Sequence, residues 1–154
     1  MPDITIRPGR LDDAERIASF QVALALETEN KTLDPERVLA GVEHGIEDPS
    51  KALYFVAERA GEVIAVLGLS SEWSDWRDGW YWWIQSVYTI PQARGRGAYR
   101  ALYQDVLAQA EARDDVLGIR LYVEVHNQRA RAVYERLGMF EAPYRQYQVS
   151  FSAP

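Results

Sequence analysis

The sequence predicts an α/β fold of the α+β type, with three layers in which a mixed, mostly antiparallel sheet carries helices on both faces. Strand and helix patterns follow in the order strand, two helices, three strands, helix, strand, helix, strand. Long helices therefore alternate with strands only in the second half. One central pattern, residues 80–90, is apolar on both faces, which is typical of a strand covered from both sides. Because 154 residues suit one hydrophobic core, we predict a single domain over 1–154.

The first half of the chain begins with a short strand over residues 3–8, where apolar and polar residues alternate. Apolar residues then recur at helical spacing over 11–28, behind acidic residues that suit the positive end of a helix dipole. A second helix begins at Asp34-Pro35, since the aspartate can cap free N–H groups and proline costs no hydrogen bond in the first turn. Its apolar pattern continues to Asp48.

A hairpin precedes the central strand. Residues 52–59 and 62–72 predict two strands joined by the tight Ala60-Gly61 pair, because both segments are rich in strand-forming residues and the pair suits a turn. The following segment, 73–79, is polar apart from its tryptophans. It predicts a loop.

The central strand and the elements after it complete the predicted fold. In residues 80–90, strict alternation would place Ile84 and Tyr88 on one face and Trp83 and Val87 on the other. A glycine-rich turn then leads into an apolar helix stripe. The remaining predicted elements are a strand over 118–126, a helix over 127–137 that Gly138 ends, and strands at the C-terminal end.

Composition excludes several classes of function. The net charge of -6 and pI of about 5.0 argue against nucleic acid as a partner, which would need a basic surface. Cysteine is absent, so disulfides, thiolate metal sites and a cysteine nucleophile are excluded, and we predict no metal site. We also expect no membrane association and a cytoplasmic location, since the start of the chain lacks a signal pattern and no window approaches a membrane span.

The segment 92–98 places Gly95 and Gly97 between the buried strand and the first turn of a helix. Glycine lets the backbone turn with no β-carbon in the way, so consecutive N–H groups can face one concavity at the positive end of the helix dipole. A tight connection alone would also explain two glycines, but the neighbouring proline, glutamine and arginines favour an anion site. Arg100 replaces the third glycine of a dinucleotide fingerprint, and no P-loop lysine follows.

This loop resembles that of the GNAT superfamily of N-acetyltransferases, whose Q/R-x-x-G-x-G/A signature is matched by Gln92, Gly95 and Gly97. Downstream, residues 127–140 resemble the family's N-x-x-A-x-x-x-Y-x-x-x-G-F segment. The resemblance is specific over residues 80–140, whereas the first 79 residues match only in the order of their elements. It implies a GNAT-like acyl-CoA N-acyltransferase fold.

The resemblance also implies how acetyl-CoA is bound. Backbone N–H groups around the two glycines would hold the pyrophosphate, and the pantetheine arm would pair with the preceding strand where two parallel strands splay apart. The residues predicted to bind the cofactor are Val87, Tyr88, Thr89, Gln92, Arg94, Gly95, Arg96, Gly97, Ala98, Tyr99 and Asn127. Asn127 also suits an ordinary helix N-cap, and both roles can hold.

Amine attack on a thioester needs a neutral amine, a donor for the developing oxyanion and a proton for the departing thiolate. The resemblance implies Tyr134 as the acid, although its place in an apolar helix stripe also suits a core aromatic. A backbone N–H near Val87 would be the oxyanion donor. Many relatives carry a strand glutamate where this chain has Ser86, so the base stays open among the following side chains: Glu27, Glu29, Glu72, Asp75, Glu124 and His126.

All five tryptophans lie within residues 73–83, among acidic residues. They either pack the central strand or line an acceptor pocket in which aromatic faces and carboxylates favour a cationic or aromatic amine. The residues predicted to form that pocket are Glu27, Glu72, Trp73, Trp76, Trp83 and Ser86.

We therefore expect an N-acetyltransferase that moves an acetyl group from acetyl-CoA to a primary amine of a small molecule or a protein by direct attack. The alternative is a non-catalytic acyl-CoA-binding sensor or structural module, which the missing strand glutamate favours. The family resemblance leaves a homodimer open.

Overall fold

The computed structural model describes residues 3–152, which divide into two compact units, one ending at Tyr122 and one beginning at Val123. The predicted domain over 1–154 therefore includes two residues at each end that lie outside the described part. In the first unit the strands are β1 (Thr5–Pro8), β2 (Leu53–Arg59), β3 (Glu62–Ser74), β4 (Gly79–Thr89) and β5 (Val116–Leu121), and the helices are α1 (Ala14–Glu29), α2 (Pro35–Glu47) and α3 (Ala98–Glu111). The second unit contains α4 (Gln128–Arg136).

The sheet of the first unit has the spatial order β1-β2-β3-β4-β5. Neighbouring strands are antiparallel from β1 to β4, and β4 pairs in parallel with β5. This arrangement confirms the predicted mixed, mostly antiparallel sheet. The parallel pair requires the crossover through α3, which starts directly after β4.

Helices cover both faces of this sheet, as the sequence predicts. On one face, Val56, Val66 and Tyr88 pack with α1 and α2 in a cluster that includes the fully buried Ile17. Alternate strand residues point the other way, where Leu67 is also fully buried and α3 packs against the sheet. The inner strands are therefore covered by buried side chains on both faces of the sheet.

A bulge in β4 corrects the predicted alternation. Gly68 of β3 lies opposite Ser86, whereas the next residue, Leu69, lies opposite Ile84, so Gln85 is an extra residue in β4. Strict alternation would place Ile84 and Tyr88 on the same face. Because the bulge reverses the alternation, Ile84 faces α3 and Tyr88 faces α1.

The two hairpins of the sheet differ in how well the sequence predicts them. Ala60 and Gly61 both have positive φ angles, 52° and 78°, which is the geometry of a tight hairpin turn. The second hairpin is longer than predicted, since β3 continues to Ser74 and Trp73 pairs with Trp80. Of the predicted loop 73–79, Trp73, Ser74 and Gly79 are therefore strand, and the four residues between them form the turn.

The second unit departs from the prediction after its helix. Residues 139–152 contain no strand, although Tyr147, Val149 and Phe151 alternate with polar residues. An alternating pattern concerns only the side chains, whereas a strand also needs hydrogen-bond partners for its backbone. These three side chains are 76–98% exposed, so they are not packed against a sheet. The predicted C-terminal strands are therefore wrong for the described residues. The strand predicted over 118–126 also ends early, at Leu121, before a turn in which the Asn127 amide donates to the Glu124 carbonyl at 3.0 Å.

Candidate active site

Near the end of β4, one edge of the strand has no partner strand among residues 3–152. The parallel pairing with β5 stops at Ile84 and Leu121, whereas β4 continues to Thr89 and pairs there with β3. The Ile90 amide donates to the Ile64 carbonyl at 3.0 Å. Because backbone groups alternate in direction along an antiparallel strand, the N–H and C=O groups of Val87 and Thr89 point away from β3, toward the open edge. These are the two residues predicted to pair with the pantetheine arm.

Tyr88, between them, has a different environment. Its backbone pairs with Val66 of β3, and its ring is buried against Phe20 with ring centroids 5.2 Å apart. The Tyr88 hydroxyl donates to Glu27 Oε1 at 3.1 Å. Burial, and after it this hydrogen bond, raises the pKa of Tyr88. Its backbone therefore does not face the open edge.

The glycine loop follows at the same end of β4. After a short 3₁₀ turn at Pro91–Ala93, Gly95 and Gly97 take φ angles of 74° and 87°, a region that disfavours residues with a β-carbon. A β-carbon placed on either glycine would meet no atom within 4 Å, so the loop is open on that side. Gly97 is the residue before the first turn of α3.

Four successive amides of this loop donate to no acceptor within residues 3–152: those of Gly95, Arg96, Gly97 and Ala98. They lie at the N-terminus of a 14-residue helix, where the helix dipole adds positive potential. The Arg94 amide differs, since it donates to the Pro91 carbonyl at 3.4 Å. The geometry therefore suits an anion with several acceptor oxygens, such as a diphosphate.

The side chains around these amides have different surroundings. Gln92, Arg96 and Arg100 are exposed, and Tyr99 is half-buried in the first turn of α3. The Arg94 guanidinium instead turns back: Nη2 lies 2.7 Å from Glu27 Oε2, and Nε donates to the Thr89 carbonyl at 2.9 Å. Arg94 and Glu27 therefore connect the loop with the end of α1.

Ser86 occupies the strand position at which many relatives carry a glutamate. Its Oγ accepts a hydrogen bond from Gln21 Nε2 of α1 at 2.8 Å. A hydroxyl so held is not a base at neutral pH. Among the other candidates, Glu27 is bound to Arg94 and Tyr88, and Asp75 lies exposed in the β3–β4 turn.

Beyond Ser86, on the face that α1 partly covers, lies a group that we call the β4–β5 surface: Glu72, Tyr81, Trp83, Arg120 and Tyr122. The Arg120 guanidinium lies 3.4 Å from the Tyr81 ring centroid and donates to Glu72 Oε1 at 2.7 Å. Trp83 stacks on Tyr122, with ring centroids 4.5 Å apart, and Tyr122 is 61% exposed. The surface therefore offers accessible aromatic rings beside one ion pair.

The remaining predicted pocket residues do not join this surface. Trp73 lies on the opposite face of the sheet, where its ring meets that of Trp80 edge-on at 4.9 Å. Trp76 lies in the β3–β4 turn and is 87% exposed. Glu29, at the end of α1, has only a loose ion pair with Lys31 at 3.8 Å. The structure thus brings together Glu72 and Trp83 but separates the other two tryptophans from them.

The second unit carries the other predicted site residues. The Asn127 side chain accepts from the Ala130 amide at 3.1 Å, so it is the N-cap of α4 that the sequence also allowed. Tyr134 lies in α4, and burial raises the pKa of its hydroxyl. A phenol with a raised pKa stays protonated at neutral pH, which an acid requires. Glu124 and His126 form a local turn through the His126 amide.

A cavity of about 460 Å³ lies elsewhere in the first unit, lined by Tyr54, Trp82 and Arg113 among others. Arg113 follows the C-terminal end of α3, whereas the glycine loop precedes its N-terminal end. The cavity is therefore not part of the loop site.

Comparison with known families gives one match, to the acetyltransferase (GNAT) family, over residues 17–139. This match covers most of the chain, including the glycine loop and α4. The chain belongs to the GNAT family. It is accordingly an acyltransferase, and membership supports the predicted use of coenzyme A.

Three solved structures are similar to this chain in fold. A possible acetyltransferase from Clostridium difficile 630 is 38% identical over 97% of this chain and 99% of its own, with a TM-score of 0.93. An aminoglycoside N-acetyltransferase in complex with CoA is 15% identical over 99% and 97%, with a TM-score of 0.79. A predicted acetyltransferase with acetyl-CoA from Clostridium acetobutylicum is 17% identical over 96% of each chain, with a TM-score of 0.77. A comparison with curated proteins finds no match.

Two features of this GNAT site were not predicted from the sequence. Gln21 is a polar residue in the apolar stripe of the first helix. A polar side chain at such a position indicates a buried hydrogen bond, which the structure shows with Ser86. Arg120 and Tyr122 were missed because their partners in the β4–β5 surface are distant in sequence. No helix within residues 3–152 has the length and apolar character needed to cross a membrane.

Proposed function

We propose that this protein transfers the acetyl group of acetyl-CoA to a primary amine of a small molecule or a protein. The observation that carries the proposal is the run of four amides, at Gly95, Arg96, Gly97 and Ala98, that have no acceptor among the described residues and lie next to the open edge of β4. Family membership supplies the acyl-transfer chemistry. The CoA and acetyl-CoA complexes of two proteins with the same fold support the choice of donor.

The residues present fit coenzyme A. The loop amides and the exposed Arg96 would hold the diphosphate, and the Val87 carbonyl, at the open edge, would accept from a pantetheine amide. The Thr89 carbonyl already accepts from Arg94, so Thr89 would contribute its N–H. When bound, acetyl-CoA supplies an acetyl group activated as a thioester.

Two groups of the chain would act on the reaction. The Val87 N–H, or one beside it, would donate to the carbonyl oxygen that gains negative charge. The Tyr134 hydroxyl would give its proton to the departing sulfur. Since Ser86 is not a base, the acceptor would attack as the neutral amine, having lost its proton to water. Its nitrogen would lose a second proton to water as the C–S bond breaks, and the Tyr134 phenolate would regain a proton from water.

We infer that the acceptor binds at the β4–β5 surface. Along β4, this surface lies beyond Ser86, on the side away from the glycine loop. The exposed Tyr122 ring and the partly exposed Trp83 ring favour a cationic or aromatic amine, beside a Glu72 carboxylate whose charge Arg120 balances at 2.7 Å. The cytoplasmic location and a homodimer stay predictions.

The test is release of free CoA from acetyl-CoA with a panel of polyamines, aminoglycosides, amino acids and peptides, next to calorimetric binding of CoA. We expect binding and acceptor-dependent release with at least one class of amine. Failure to bind CoA at millimolar concentration would contradict the proposal. Binding with no release across the panel would instead favour the sensor or structural module, which the serine at position 86 also favours.

A further inference from the structure

Arg94 departs from the role that its position suggests. An arginine beside two glycines in a diphosphate loop is expected to contact the phosphates directly. In the structure its guanidinium lies 2.7 Å from Glu27 Oε2, donates to the Thr89 carbonyl at 2.9 Å and lies 5.4 Å from the Tyr88 ring centroid. Three parts of the chain, α1, β4 and the loop, therefore meet at this side chain.

Glu27 is the matching half of this contact. One carboxylate oxygen accepts from Arg94 and the other from the Tyr88 hydroxyl, at 2.7 and 3.1 Å. The pair therefore neutralises the charge of Arg94. Arg96 and Arg100 are exposed and have no ion-pair partner within the described part of the chain, so they keep their charge for a ligand.

We propose that Arg94 and Glu27 are positioning residues, which hold the glycine loop in the conformation that presents its amides to the diphosphate and do not bind the diphosphate themselves. Arg94 is directly followed by Gly95, the first of the four residues whose amides find no acceptor in the described part of the chain. Fixing its side chain to both Thr89 and Glu27 limits the conformations open to two flexible glycines. The inference rests on the proposed binding of coenzyme A.

Removal of the Glu27 carboxylate distinguishes a phosphate-binding Arg94 from a positioning Arg94, because the two roles predict opposite changes in CoA affinity. If Arg94 bound the diphosphate, Glu27→Ala would free its guanidinium and tighten CoA binding. If the pair positions the loop, the same change leaves the competent conformation less populated and weakens binding. Since the pair is nearly half exposed, we expect an increase in the CoA Kd of about fivefold.

The experiment measures CoA binding by calorimetry for Glu27→Ala, Arg94→Ala and the double variant. Positioning by the pair predicts that the double variant binds about as weakly as Arg94→Ala alone, because the two changes break one contact. Glu47→Gln removes a carboxylate from the last turn of α2 and is the matched control, with an unchanged Kd. Arg96→Gln should weaken binding independently, so that its effect adds to that of Glu27→Ala.

Backbone dynamics without CoA provide the second readout. The ¹⁵N order parameters of Gly95 and Gly97 should fall in Glu27→Ala and stay unchanged in Arg96→Gln. Tighter CoA binding in Glu27→Ala, or unchanged affinity and order parameters, would overturn the positioning role. If the unaltered protein does not bind CoA, the proposed function fails first, so the two failures are distinguishable.

Discussion

Ile84 and Leu121 are the last residues that pair between β4 and β5. Beyond them, β4 continues for five residues to Thr89, with its second edge open among the described residues. An open edge inside a sheet needs a partner for its N–H and C=O groups. In this chain the open edge leads directly to the amides of the glycine loop. One extended ligand that carries both amides and a diphosphate would therefore provide hydrogen-bond partners for the strand edge and for the loop.

The first prediction concerns Gly97. Gly97→Asp should abolish CoA binding, because it places bulk and negative charge on the residue that starts α3, where φ is 87°. Calorimetry with CoA measures the loss. Gly61→Asp is the matched control, since Gly61 also has a positive φ, 78°, and open space around it but lies in the β2–β3 turn. Equal affinities of the unaltered protein and Gly97→Asp would remove the loop assignment.

The second prediction concerns Tyr134. Tyr134→Phe should lower kcat by about 100-fold while the CoA Kd stays nearly the same, because the ring remains and only the acidic proton is lost. Burial raises the pKa of Tyr134, so the tyrosine loses its proton only above its usual value of about 10. The unaltered enzyme should therefore keep its rate up to that pH, as a pH profile of kcat would show. A wild-type kcat in Tyr134→Phe would mean that the ring only packs.

The third prediction concerns the β4–β5 surface. Trp83→Ala should raise the KM for the acceptor about tenfold, because it removes a ring on which a cationic or aromatic amine would lie. The CoA Kd should not change. Trp76→Ala, in the exposed turn, is the control and should leave both constants as they are. If Trp83→Ala changed neither constant, the acceptor would bind elsewhere.

The fourth prediction concerns stability. Asp13, 8% exposed, accepts from Arg7 at 2.7 and 3.0 Å, and this contact lowers the pKa of Asp13. A lowered pKa in the folded state means that Asp13 stabilises the fold above its unfolded pKa of about 4, and that this contribution is lost as the pH falls. Asp13→Asn should therefore reduce the free energy of unfolding by about 3 kcal/mol at pH 7.

Urea unfolding at pH 7 and near pH 2 tests the stability prediction. The difference between Asp13→Asn and the unaltered protein should shrink at the lower pH, because the Asp13 carboxyl gains a proton as the pH falls. Asp12→Asn, at an exposed neighbour without a partner in the described chain, should have little effect at either pH. A difference that is the same at both values would show that the charge of Asp13 is not what stabilises the fold.

Local sequence was sufficient for the turns. Ala60-Gly61 and the two loop glycines were predicted as turns because few residues tolerate the backbone angles that turns require, and all four have positive φ. The helix starts at Asp34 and Asn127 were predicted for the same local reason, since a side-chain acceptor two or three residues before a free N–H caps it.

Contacts between distant segments were not predictable in this way. The extra residue Gln85 depends on how β4 aligns with β3, and no pattern within β4 alone indicates it. The contact of Arg94 with Glu27 joins residues 67 positions apart, which the sequence analysis assigned to two different sites, Arg94 to the cofactor and Glu27 to the acceptor pocket. The C-terminal strands were predicted from alternation, but alternation does not supply a partner strand.

The most direct test of the account is a crystal structure with coenzyme A. We expect the diphosphate oxygens within hydrogen-bond distance of the Gly95 and Gly97 amides, and the pantetheine amides paired with Val87 along the open edge of β4. Diphosphate density at any other place on the chain, with these amides bonded to protein atoms, would contradict it.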